Sequence, residues 1–247
     1  MNVLAIIQAR MGSSRLPNKV LLPLAGKAVI EHVVDRVRHT RLIDDVIVVT
    51  SIEPNNLPLI GLCAEKGIRV YVGSENDVLD RYYQAAKLLQ PFNIVRITAD
   101  CPMLDADIID EIIKSFLVSK VDYLGTNYLP DGMGCEVFTM DALQTAWTNA
   151  KLKSDREHVT PYMRNNLNRG TYVYKENLFD RRWTLDEEAD FKMIAKVFDA
   201  LYPVNSNFGL DQIKEFLDAN PEIASLNMHI GRNEGYAKSL AEDEIIK

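Results

Sequence analysis

The chain has 247 residues, 47% of them hydrophobic and 26% charged, with 12 Gly and 10 Pro, which excludes collagen-like, disordered and disulfide-stapled miniprotein classes. Its 28 Lys and Arg against 35 Asp and Glu give a formal charge of -7. That is the wrong sign for neutralising a nucleic-acid backbone over a broad surface, so no nucleic-acid partner is expected.

The first element is an apolar strand at 3–8. Val29, Ile30, Val33, Val34 and Val37 then recur at helical spacing, and 46–50 is an unbroken apolar run suited to a strand buried on both faces. A helix is predicted over 56–66 with Gly67 as its stop, a strand over 69–72, and a helix from its cap Asp77 to residue 89. Residues 93–97 form the fourth strand, Asp105 or Asp107 caps a helix ending near Ser119, and 122–125 is a further short strand. Alternating strands and helices are the signature of βαβ units around a mainly parallel sheet.

After that the pattern loosens. The run TNYLPDGMG at 126–134 is turn-rich, followed by a strand at 136–139, a helix at 141–150 and a polar helix at 157–166. Residues 183–185 read as a short strand before a helix over 187–201, whose Phe191, Ile194, Val197, Phe198 and Leu201 share one face, and another helix covers 210–219. No element is assigned within 227–247, and no repeat or linker divides the chain, so a single domain over 1–247 is expected. No apolar run approaches the roughly 20 residues that span a bilayer, and no basic leader precedes the first strand; a cytoplasmic protein without a membrane partner is expected. Cys63, Cys101 and Cys135 lack CxxC spacing and are read as free thiols, Cys101 as apolar filler rather than a nucleophile.

The link after the first strand, Ala9 to Lys19, packs Arg10, Arg15 and Lys19 around Gly12, Ser13 and Ser14. Ligands of open α/β sheets bind at the carboxyl ends of strands, where such a loop turns backbone N–H groups and charge-assisted donors toward phosphate oxygens. It is neither a Walker A loop nor a GxGxxG turn. Asp100 leaves the end of the fourth strand and is placed to hold Mg²⁺ on nucleotide phosphates, since that ion favours one or two carboxylates plus phosphate and water oxygens. Asp186 sits at the end of the 183–185 run in the same way, whereas Glu187 and Glu188 suit the dipole of the helix that follows.

The blocks IIQARMGSSRLPNKVLLPLAGKAVIEH, RITADCPMLD and RRWTLDEEADFKMI resemble the cytidylyltransferases of bacterial surface-sugar synthesis, which include the CMP-sialate and CMP-Kdo synthetases, and in particular the SpsF-type branch of spore-coat polysaccharide synthesis. GSENDVLDRYYQAA, DGMGCEVFTMDAL, SDREHVTPYMR and NEGYAKSL extend the likeness over nearly the whole chain. The resemblance implies a Rossmann-like nucleotide-diphosphosugar transferase fold with helices on both faces of the sheet. It also implies a nucleotide-binding half at 1–125, an acceptor, dimer and second-metal half at 126–247, and a homodimer. It assigns Arg10, Ser14, Arg15 and Lys19 to the triphosphate, Asp77 and Arg81 to the neighbourhood of the base, and Asp100 and Asp186 to Mg²⁺. CMP-sialate synthetases tend to carry a DxD pair at the second metal position, whereas residue 188 here is Glu.

The expected activity is transfer of CMP from CTP to a sugar-like acceptor, with Arg10, Arg15, Lys19 and Asp100 as catalytic residues. Asn127, Asp131, Glu136, Arg156, His158 and Tyr162 are the candidates for the acceptor pocket, while His32, His39 and His229 are read as structural. A metal-dependent glycosyltransferase and a nucleotide-binding module without turnover are the alternatives on the same fold.

Overall fold

The computed structural model describes residues 2–232 and 234–246. Its first half runs β1 (Val3–Gln8), a small hairpin of β2 (Pro23–Leu24) and β3 (Lys27–Ala28), α1 (Val29–Arg38), β4 (Asp45–Ser51), α2 (Leu57–Glu65), β5 (Val70–Gly73), α3 (Val78–Leu89), β6 (Asn93–Thr98) and α4 (Ala106–Ser119). The second half begins with β7 (Tyr123–Asn127), β8 (Glu136–Thr139), α5 (Met140–Asn149), α6 (Lys153–His158), α7 (Pro161–Asn166) and β9 (Arg169–Val173). It ends with α8 (Glu188–Leu201), α9 (Leu210–Ala219), α10 (Pro221–Ala224) and α11 (Glu234–Ala241).

Seven strands form one sheet in the order β5-β4-β1-β6-β8-β7-β9. The four strands of the first half are parallel, β8 is antiparallel to both β6 and β7, and β9 returns parallel to β7. Period-two alternation splits the strands between two apolar layers. Val3, Ala5 and Ile7 of β1 join α1, α4, α8 and α9 on one face, and Leu4 and Ile6 join α3, α5 and α7 on the other. Burial on both faces explains the β-branched, nearly uninterrupted apolar runs of β1 and β4.

Three readings of the sequence are corrected. The helix expected at 157–166 is two short helices, α6 and α7, separated at the buried Val159 (φ 71°, ψ -53°). The Thr160 N–H donates to the His158 carbonyl at 2.8 Å, closing a γ-turn of the uncommon positive-φ kind. Residues 183–185 are not a strand: the segment is tied to the loop before β8 by an isolated bridge between Asp131 and Arg182, and Leu185 N–H donates to the Asp100 carbonyl at 2.8 Å. Finally, 169–173 pairs as an edge strand that the sequence reading passed over.

Candidate active site

The loop after β1 and the turn after β6 leave the sheet side by side, because Ala9 N–H donates to the Val49 carbonyl and Ala99 N–H to the Gln8 carbonyl, each at 3.0 Å. Above these strand ends lies a cleft of about 1220 Å³. Ala9, Arg10, Gly12, Ser13, Ser14, Arg15 and Lys19 all line it, as do Asp100 and Asp186. The loop is braced by Met11 N–H donating to the Oδ1 of the buried Asn56 at 2.8 Å, and by Leu16 N–H donating to Ser13 Oγ at 3.3 Å. Asn18 at φ 59° then turns the chain into a single 3-10 turn that starts at Lys19.

Lys19 joins the two aspartates that the sequence marked out. Its Nζ donates to Asp100 Oδ2 at 2.7 Å and to Asp186 Oδ1 at 2.8 Å. Arg15 adds a contact from Nη2 to Asp186 Oδ1 at 3.3 Å and from Nη1 to Glu187 Oε1 at 3.3 Å. Burial alone would raise the Asp100 carboxyl, but the Lys19 ammonium, with Thr98 and Cys101 hydrogen bonds, outweighs it and holds the group down at about 2. For Lys19 itself, burial disfavours the charge, yet the two carboxylates prevail and keep the ammonium protonated above its usual range.

Asp100 and Asp186 also fit the Mg²⁺ that the sequence suggested. Their carboxylates converge on Lys19 Nζ, at the end of the loop that Arg10, Ser13, Ser14 and Arg15 line. Among the described residues no group of three or more His, Cys, Asp or Glu forms a closed cage. A pair of acids that leaves further positions to phosphate and water oxygens is the donor set this ion accepts. Glu188, by contrast, is 75% exposed at its side chain and pairs with Lys192 at 2.7 Å, outside the cleft.

Elsewhere in the cleft, Glu136 of β8 faces Arg96 of β6, whose Nη1 donates to it at 2.5 Å. Tyr123 and Thr160 hydroxyls also donate to Glu136 Oε1, the latter at 2.9 Å. Burial would raise Glu136, but Arg96 and these hydroxyls hold its carboxyl below the ordinary range. His158, the last residue of α6, lines the cleft with Nε2 2.9 Å from Ser239 Oγ of α11, and burial lowers its basicity. Asp131 meets Arg182 Nη1 at 3.3 Å; burial raises its carboxyl despite Arg232 and Arg182.

Several placements change. Arg81 lines the cleft, buried, with Nη1 donating to the Glu75 carbonyl at 3.0 Å. Asp77 stands outside it: Oδ1 caps α3 by accepting from Asp80 N–H at 2.8 Å, and Oδ2 accepts from Arg156 Nε at 2.6 Å. Arg156, 3% exposed, also donates from Nη1 to the Trp147 and Ala150 carbonyls. Tyr162 packs against the apolar layer beneath α7, and Asn127 folds its Oδ1 onto Tyr128 N–H at 2.9 Å. None of these last three lines the cleft. Residues missed by the sequence reading include Arg96, Thr160, Arg164, Arg182 and Tyr236. Arg96 had a signal, as a cation inside the apolar run NIVRIT, and the others reach the cleft only through tertiary packing.

The chain is similar to known proteins along most of its length. Residues 4–232 match the cytidylyltransferase family. An uncharacterised protein of Methanocaldococcus jannaschii is 40% identical over 241 residues, 93% of this chain and 96% of its own. The spore coat polysaccharide biosynthesis protein SpsF of Bacillus subtilis is 31% identical over 234 residues, 91% of this chain and 97% of its own. Among solved structures, a cytidylyltransferase from Leptospira borgpetersenii superposes with a TM-score of 0.85 at 29% identity, over 91% of this chain and 97% of that one.

Proposed function

The chain belongs to the cytidylyltransferase family, and we propose that it transfers CMP from CTP to a sugar or sugar-like acceptor, such as a sugar acid, with release of pyrophosphate, in the synthesis of a surface glycan. The observation that carries this reading is Lys19 held between Asp100 and Asp186 at the end of a cationic, serine-rich loop.

In the reaction, an acceptor oxygen attacks the α-phosphorus in line with the departing pyrophosphate. Arg10, Arg15 and Lys19 stand where charge develops on the leaving group and supply fixed donors to it, and backbone N–H groups around Gly12 to Ser14 orient the chain of phosphates. Asp100 and Asp186 would hold Mg²⁺, which when bound neutralises phosphate charge. The acceptor lies against the part of the cleft lined by Asp131, Glu136 and His158. No covalent intermediate on the protein is required. The proposal includes a cytoplasmic homodimer; among the described residues no helix is long and apolar enough to cross a membrane.

The test is an acceptor-library screen that records pyrophosphate release with CTP, ATP, GTP and UTP. CTP-dependent release with at least one sugar-like acceptor is expected. Sugar transfer from a nucleotide sugar, or CTP left intact with every acceptor, would overturn the reading.

A further inference from the structure

Asp186 leaves an irregular segment rather than a strand, yet its carboxylate faces Lys19 at hydrogen-bonding distance. The network behind it accounts for this. Arg182, 8% exposed, donates from Nε to Asp190 Oδ1 and from Nη2 to Asp190 Oδ2, each at 2.9 Å. This is a fork laid on a carboxylate, the geometry that fixes direction as well as distance. The same Nη2 donates to Asp186 Oδ2 at 3.2 Å, and Nη1 reaches Asp131 Oδ2 and the Gly231 carbonyl at 3.3 Å each.

Asp190 is wholly buried, and its Oδ2 accepts the backbone N–H groups of Asp186 at 2.9 Å and Glu187 at 3.0 Å. Asn227, also buried, donates to Asp190 Oδ1 at 2.8 Å and to the Arg182 carbonyl at 3.0 Å. The backbone of Asp186 and one of its two side-chain oxygens are therefore held by two residues that also hold each other. The other oxygen, Oδ1, is turned toward Lys19 and Arg15.

A buried ion pair is weak support for stability, because apolar side chains of equal volume serve a core as well. What the charged fork adds here is orientation of a third group. We propose that Arg182 and Asp190, locked by Asn227, form a positioning clamp that presents Asp186 Oδ1 to the metal and triphosphate end of the cleft. This rests on the reading of Asp186 as a Mg²⁺ ligand. Arg182 borders the cleft but directs its donors to Asp190, Asp186, Asp131 and the Gly231 carbonyl, and Asp190 and Asn227 lie outside it, so the three act through Asp186. Glu188, which occupies the place of the second acid of a DxD pair, plays no part in it, and the buried acid of the block is Asp190.

Calorimetric titration of CTP into the full chain, once in saturating Mg²⁺ and once in EDTA, separates this role from a merely structural one. Arg182→Lys keeps the charge and loses the fork; Asn227→Ala removes one lock; Glu188→Gln is the neighbouring control. Loss of residues that orient a metal ligand typically costs about 10- to 100-fold in metal-dependent affinity. Arg182→Lys is expected to lose affinity on that scale in Mg²⁺ while its affinity in EDTA stays within about twofold of wild type, the threshold we take for no change given that scale. Asn227→Ala should move the same way by less, and Glu188→Gln should not move.

Equal weakening in Mg²⁺ and EDTA, or no weakening in Mg²⁺, overturns the clamp. If Arg182→Lys does not fold, as its melting curve will show, Asn227→Ala decides by the same comparison. Wild-type CTP affinity that ignores Mg²⁺ overturns the metal reading and the clamp with it, and is told apart because it shows in the unsubstituted protein.

Discussion

Lys19 Nζ lies within 2.8 Å of both Asp100 and Asp186 and holds the Asp100 carboxyl down, so Lys19 serves the site's own acids as much as it serves an incoming phosphate. Lys19→Ala is expected to fold and to lose roughly two to three decades of turnover, the usual consequence of removing one well-placed donor to developing charge. Pyrophosphate release beside a melting curve checks both parts. Asp100→Asn and Asp186→Asn should each cripple turnover, and the double variant should be little worse than either, because groups acting as a unit are strongly non-additive. Full turnover in Asp186→Asn would remove it from the site. At this scale the sequence was legible where charge is dense within a few positions, as from Arg10 to Lys19. Arg182 was illegible, since its partners Asp131, Asp190 and Asn227 are drawn together from three separate segments.

Asp77 is the N-cap of helix α3, and the capping role read from the sequence is the one observed. Of the two residues that the resemblance puts near the base, Arg81, one turn further along the helix, lines the cleft and Asp77 does not. Asp77→Ala should therefore lower stability by about 3 kcal/mol, the scale set by a lost cap and a buried cation left without its carboxylate. CTP affinity, measured by calorimetry on the same variant, should barely change. The βαβ half was legible because its apolar periods are long and its stops, such as Gly67 at φ 61°, are of the expected type. The second half hid its breaks. A buried Val at positive φ gives no turn signal, so α6 and α7 read as one helix. The edge strand β9, with exposed residues alternating along RGTYV and a Gly inside, offers too little apolar length to be noticed.

Over the whole molecule, acid sensitivity follows from histidines buried in neutral form. His32 donates from Nε2 to the Leu24 carbonyl at 2.6 Å in the apolar layer beneath α1, and burial lowers its basicity. A group with a depressed folded value contributes stability that is present above its unfolded value, near 6.5, and is lost as pH falls through the folded one. The melting temperature should decline from about pH 6.5 downward, and His32→Gln, which keeps an N–H donor, should flatten the part of that decline owed to His32. Equal slopes in both proteins would count against it.

The position of β1 has a further consequence. It is hydrogen-bonded on both sides, to β4 and β6, and covered on both faces, whereas β9 closes one end of the sheet with a partner on one side only. In deuterated water, amides of β1 should exchange only when the entire chain opens, and those of β9 by local fraying at far lower cost. The cationic loop from Ala9 to Lys19 grows from the strand that opens last, while Arg169 and Thr171 of the strand that opens first line the same cleft. Deuterium should thus reach the β9 side of the cleft long before the floor laid by β1, so that a chain beginning to loosen keeps its cationic loop in place after the β9 wall has opened.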